Sequence, residues 1–370
     1  MIRAIRGIPF LALLIFAFAL PLLAKCPISD GATLIVNAAV GDIHIDTSSR
    51  ESVAEVQVDS SVQVQETCGK NVEFKSTGTN PATGQVAWKI SLPRTVHLDV
   101  VTMAGNITVG DVDGNVILRT AGGSVTAGSI KGKAAIITQG GFIKAGNIGG
   151  NAEIISRGGT LEVGDIGGNA ELRATAGVIR AGTIAGSLNA DGGRTISIVK
   201  AGDVRATTNA GDISIGDATR INAKSGGGHI TSRRVRGPFK GETESGDIRL
   251  DSAASWVEAS TNHGNIYVKL VPDDFDGDLH MDLHAGVGDV TVYLPPRMRA
   301  SIDATVQRPA FQTQQIISEF PAVPPRAPTQ GMIPTNRFYS AAARTEYVLL
   351  GGGNKIVLHT SLGKISIRKY

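Results

Sequence analysis

Apolar and polar positions alternate along much of this chain, and between residues 105 and 192 the alternation is locked to a repeat of 18 residues. Ile107, Val125, Ile143, Leu161 and Ile179 keep that step, as do Val112, Ile130, Ile148, Ile166 and Ile184. Glycine keeps it in three series: Gly105 to Gly177, Gly110 to Gly182 and Gly114 to Gly186. A short fixed period with glycine at the turns and β-formers between them predicts an all-β fold, a parallel β-solenoid with one 18-residue coil per repeat. The usual crossover hand makes it right-handed, and exposed strand edges require a cap at both ends. Alternation then sorts the side chains. Ile107 and Val109 face inward with Thr108 outward, and Leu118, Ile136, Ile154 and Leu172 face inward from a second strand. Coils about 4.8 Å apart would place the outward Lys144, Glu162 and Arg180 side by side with alternating charge.

The rung motif outlasts the strict block. Glycine followed by Asp or Asn and then an aliphatic residue occurs at Gly41-Asp42-Ile43, Gly105-Asn106-Ile107, Gly211-Asp212-Ile213, Gly246-Asp247-Ile248, Gly264-Asn265-Ile266 and Gly288-Asp289-Val290. The pair reads as a corner, with glycine free in φ and the Asx side chain capping its own turn. The organisation expected is a signal peptide over 1–24, an N-terminal β region and cap over 25–104, and solenoid coils over 105–294. A proline-rich excursion over 295–346 and closing strands over 347–370 follow, with 25–370 as one continuous domain.

These rungs, the phrase Gly288-Asp289-Val290-Thr291-Val292-Tyr293-Leu294-Pro295 and the ending Ile356-Val357-Leu358-His359-Thr360-Ser361-Leu362-Gly363-Lys364-Ile365 resemble the bacterial putative-adhesin domain family. The resemblance covers nearly the whole chain after residue 24. It implies an exported β-solenoid of the cell envelope and brings no catalytic or ligand residues with it.

Composition supports built turns over disorder. Glycine supplies 46 of 370 residues and is periodic, while aromatics at 5% leave the core to Val, Ile, Leu and Ala. Arg3, Arg6, the apolar run Phe10–Leu20, Pro21 and Ala24 read as a secretory leader. Leu22 is large for its place before the cut, and Lys25 ahead of Cys26 argues against a lipoprotein signal. The apolar run is short of the roughly 20 residues of a membrane span, and no second one exists. Two of the charges behind the net +3 are those leader arginines, so the remainder is nearly neutral and no nucleic-acid partner is expected. Cys26 and Cys68 are expected to pair in a structural disulfide.

Candidate chemistry is thin. The coils lack the carboxylates of a calcium-binding roll and the six-residue apolar step of a hexapeptide solenoid. Glu153 and Glu171 stand one period apart, at a spacing that could serve a retaining glycosidase, but Arg173 on the same face is expected to neutralise both. Asp278, His280, Asp282 and His284 alternate onto one strand face, which is either a metal-binding set or a solvated surface. Arg233, Arg234, Arg236 and Lys240 form a basic cluster, and Gly351-Gly352-Gly353-Asn354-Lys355 lacks the Ser or Thr of a phosphate loop. No catalytic residue, metal ligand or cofactor is assigned.

The flanks are expected to be convex and shallow. The function expected is a non-catalytic, adhesin-like or structural solenoid of the envelope or surface, in the periplasm, at the cell surface or outside. Its partner would be an envelope, surface or carbohydrate component. The alternative is a polysaccharide-binding or polysaccharide-cleaving β-helix. Any partner is expected at the flanks or at the stretch holding Pro309, Pro321, Pro324, Pro325, Pro328 and Pro334, with Phe311, Ile316, Ile317, Phe320 and Phe338 among them. The competing expectation for that stretch is a lid folded back over one end of the solenoid.

Overall fold

The computed structural model describes residues 22–58, 62–77, 86–307, 315–322 and 343–370. Every regular element in them is a strand, so no helix there is long and apolar enough to cross a membrane. The leader arginines and the run Phe10–Leu20 lie outside the described residues, as do Pro309, Phe311, Pro324, Pro325, Pro328, Pro334 and Phe338.

The chain winds as a β-solenoid of two long sheets. In the strict block, three-residue strands such as Ile107–Val109 and Val125–Ala127 stack in one sheet, and five-residue strands such as Val116–Thr120 and Ala134–Thr138 stack in the other. Pairing is parallel and in register. Ile107 meets Val125, which meets Ile143, then Leu161 and Ile179, while Leu118 meets Ile136, Ile154 and Leu172. A line of single bridges through Val112, Ile130, Ile148, Ile166 and Ile184 gives each coil a third side. All these aliphatic residues are buried, in one hydrophobic cluster from Ala24 to Ile367. No coil could bury its apolar face alone, so stacking supplies the core.

Glycine holds one corner because the backbones there touch. A Cβ on Gly123 would overlap the Gly105 carbonyl, and Gly105 itself sits at φ +130°, where other residues are strained. The Asx residue beside it works differently from the cap expected. Its side chain reaches the next coil: the Asn106 carbonyl accepts from the Ser124 N–H at 2.8 Å, Asp212 from His229 at 2.8 Å and Asp247 from Asn265 at 2.7 Å. Parallel coils leave corner N–H groups without a sheet partner, and these ladders satisfy them.

A second ladder runs inside. Buried Thr120, Thr138, Ser156, Ser225, Thr243 and Thr261 each donate to a corner carbonyl of the preceding coil, as Thr138 does to Gly123 at 2.6 Å. Thr138 also accepts from the Gly140 and Gly141 N–H groups at 3.3 Å. Thr138→Val keeps the shape and removes the hydroxyl, so it should lower unfolding free energy by about 1–3 kcal/mol. Chemical denaturation checks this, and a change within about 0.5 kcal/mol would mean the hydroxyl ladder contributes nothing.

Both ends are interleaved. Thr33–Ala38 and Asp42–Asp46 lie between the coil at His97–Thr102 and Ile107–Val109 and a later one at Val72–Thr77 and Ala87–Ser91. Antiparallel strands Gln63–Cys68 and Val53–Val58 cover that later coil, and Leu22–Pro27 pairs outside the second of them. A disulfide joins Cys26 to Cys68, with Cα atoms 5.3 Å apart, so it fastens the outermost strand of one sheet to that of the other. The strand beginning at Leu22 contains the cleavage point expected after Ala24.

At the other end the last residues are not outermost. Asn354–Leu362 inserts between Met281–Val287 and Ala300–Val306, and Ile365–Lys369 between Val290–Leu294 and Ile316–Ser318. Ala343–Leu349 pairs antiparallel along the outside of Ala300–Val306. Among the described residues the edge strands Gln63–Cys68 and Ala343–Leu349 of one sheet, and Leu22–Pro27 and Ile316–Ser318 of the other, each pair on one side only, so each sheet is an open ladder. Of the excursion expected over 295–346, Ala300–Val306 and Ile316–Ser318 are strands of the two sheets and Phe320 is buried beneath Lys369.

Candidate binding groove on the outer flank

Strict repetition carves a feature that convex flanks would not have. Along the corner ahead of the five-residue strands runs an open groove of about 660 Å³, spanning five coils from Asn115 to Asn189. The corner position of successive coils holds Asn115, Lys133, Asn151, Asn169 and Ser187, and the first outward position of the strands holds Ile117, Ala135, Glu153, Glu171 and Asn189. Between these two rows lie Val116, Ala134, Ala152, Ala170 and Leu188, whose side chains are buried in the core, so the strip between the rows is low, and Ala135 leaves the strand row short at its coil.

The asparagines are oriented by the fold. The amide oxygens of Asn115, Asn151 and Asn169 accept from the Lys133, Asn169 and Ser187 N–H groups at 2.9, 3.0 and 2.9 Å. A backbone N–H can only donate, so the atom it meets is the oxygen. Each side-chain NH2 is left as a donor with no protein partner among the described residues. On the facing row, Glu171 is bound by Arg173 at 2.6 Å. Arg173 does not reach Glu153, contrary to expectation, and that exposed carboxylate has no ionic partner among the described residues. Two carboxylates thus lie on neighbouring coils in one groove, with no enclosure around them.

The other sequence candidates are tied up locally. Asp278 pairs with His280 at 2.7 Å and Asp282 with His284 at 2.6 Å, as two separate pairs. The hydrogen bond from His280 holds the Asp278 carboxyl below its usual range. No group of three metal-ligating side chains converges among the described residues. Arg233 pairs with Asp217, Arg234 with Asp273 and Lys240 with Glu258, so most of the basic cluster is paired on its own surface. Gly351–Gly353 form a turn with three positive φ angles between the outermost strand and the inserted one.

Sequence reading missed His359. It lies beside His284 across the inserted strand, ring centroids 5.3 Å apart. Burial is the main cause holding its imidazole below the ordinary 6.5, with His284 adding to the shift and Asp282 opposing it. The unfolded chain therefore binds this proton more readily. The stability from neutral His359 is complete above about pH 6.5 and is lost as pH falls through the lower folded value. The melting temperature should drop across that acid window, and His359→Gln should lessen the drop. An unchanged pH profile in the variant would remove His359 from the account.

No known family model and no curated protein matches the chain. Solved structures do resemble it. A putative adhesin from Bacteroides fragilis shares 14% identity over 74% of this chain and 96% of its own, at a TM-score of 0.25. A putative adhesin from Parabacteroides merdae shares 14% over 74% and 95%, at 0.24. A putative cell adhesion protein from Clostridium sporogenes shares 10% over 95% and 100%, at 0.16. At these identities and TM-scores the likenesses carry no argument about what this chain binds.

Proposed function

We propose that the chain is a non-catalytic, adhesin-like binding module of the bacterial envelope or surface, exported by its leader, that takes an extended ligand along one flank. The observation that carries this reading is the open groove shared by five uninterrupted coils. A catalytic carboxylate pair works in a water-excluded pocket that positions one bond. Glu153 is exposed, Glu171 is held by Arg173, and no loop inserts between the coils to roof them. A periodic trough instead offers the same contacts repeatedly, which suits avidity for a polymer. The test incubates purified protein with envelope and plant polysaccharides and assays both retention on the polymer and release of reducing ends. Retention without release is expected. Release that disappears in Glu153→Gln or Glu171→Gln would establish the polysaccharide-cleaving alternative.

A further inference from the structure

The two rows of the groove repeat at the rung spacing, about 4.8 Å, and differ in polarity. The corner row presents donors: the side-chain NH2 groups of Asn115, Asn151 and Asn169 and the Lys133 ammonium. The strand row presents the apolar Ile117 and Ala135, then the Glu153 and Glu171 carboxylates as acceptors and the Asn189 amide, which can do either. The charges of Lys133 and Glu153 offset one another, and Arg173 offsets Glu171, so neither a polyanion nor a polycation is favoured. A polypeptide strand rises about 3.3 Å per residue, out of step with the rungs, and finds no free sheet edge in the groove. A hexopyranose chain with equatorial 1,4 links advances by nearly one rung per sugar. Its hydroxyls both donate and accept, so the flip of alternate sugars still satisfies both rows, and its C–H faces suit the outward Ile117 and Ala135.

We propose that this groove binds a single extended chain of neutral, equatorially 1,4-linked hexopyranose units lying along the solenoid axis. The inference rests on the binding-module reading and gives that module a ligand class. No aromatic ring lines the groove, so contacts per sugar are weak and affinity accumulates with length.

The test is calorimetry of the full chain with a β-1,4-linked glucose hexamer, its dimer, and an α-1,4-linked glucose hexamer. The β-linked hexamer should bind at least tenfold more tightly than either of the other two. Ala135→Trp, which fills the groove from the strand row without touching the asparagine ladder, should weaken it tenfold or more at an unchanged melting temperature. Glu153→Lys serves the same purpose should the tryptophan disturb folding. Equal binding of α- and β-linked hexamers, or wild-type affinity in both variants, overturns the inference. So does the absence of glycan binding, or binding of an extended peptide in the groove. If the protein is still retained on envelope polysaccharide through other surfaces in those cases, the binding-module reading stands and only the groove assignment falls. Cleavage of the hexamer would instead overturn the non-catalytic reading.

Discussion

Deleting residues 354–370 should drive the purified protein into aggregates, read as its loss from the supernatant after centrifugation. The deletion strips Ile356, Leu358, Ile365 and Ile367, all buried, at about 1.5–3 kcal/mol each. It also takes the parallel partners of Ala300–Val306 and Ile316–Ser318. Met281–Val287 and Val290–Leu294 would then present bare edges in both sheets, ready to pair with another chain. The contrast is an internal excision. Removing residues 141–158 takes out one whole coil, brings Gly159 onto Gly123 and keeps every register, so that variant should stay soluble and folded. If the terminal deletion is soluble, or the internal one aggregates, the ends are not what keeps the solenoid from polymerising.

Gly123→Ala should cost about 3 kcal/mol or more, because overpacking here meets rigid backbone. The new Cβ falls on the Gly105 carbonyl and the Asn106 N–H beyond it, both fixed by the stack. Gly69→Ala supplies the control. Its Cβ would lie 3.7 Å from the Asn71 carbonyl, an ordinary contact, and a surface change of that kind stays within about 0.5 kcal/mol. Paired denaturation curves measure both. Similar small effects at the two sites would mean that the corner can spread, and that the glycine series is not sterically required.

Much of this was legible in the sequence because the same residues recur under the same constraint. Ile107 alone says little, but Ile107, Val125, Ile143, Leu161 and Ile179 at one step leave parallel stacking as the simple solution, and they pair in that order. The hydroxyl ladder also left a signal: Thr120, Thr138 and Ser156 each stand three residues before a corner glycine. The interleaved ends were not legible. Residues 33–46 carry the rung motif as Gly41-Asp42-Ile43 and residues 354–369 a variant of it as Gly363-Lys364-Ile365, and nothing in a periodic motif says which coil it lies against. The groove escaped for a related reason. Its concavity comes from a strip of inward-facing residues, Val116, Ala134, Ala152, Ala170 and Leu188, between two outward rows, a property of shape that charge and hydropathy do not encode. His359 was hidden because it stands 75 residues from His284 and is its neighbour only through strand insertion.

The interleaving has a consequence for how the molecule is made. A chain emerging N-terminus first can lay down Val116 through Leu294 coil upon coil, each new turn resting on a finished one. It cannot complete its far end that way. Ala300–Val306 is synthesised before the strand that must lie beneath it, and it waits, unsupported on its inner side, until residues 354–362 arrive. Residues 354–362 are thus a keystone, and a chain cut before them leaves Ala300–Val306 without its inner partner. Any break ahead of residue 354 therefore shows itself far from the cut, as bare strand edges in both sheets.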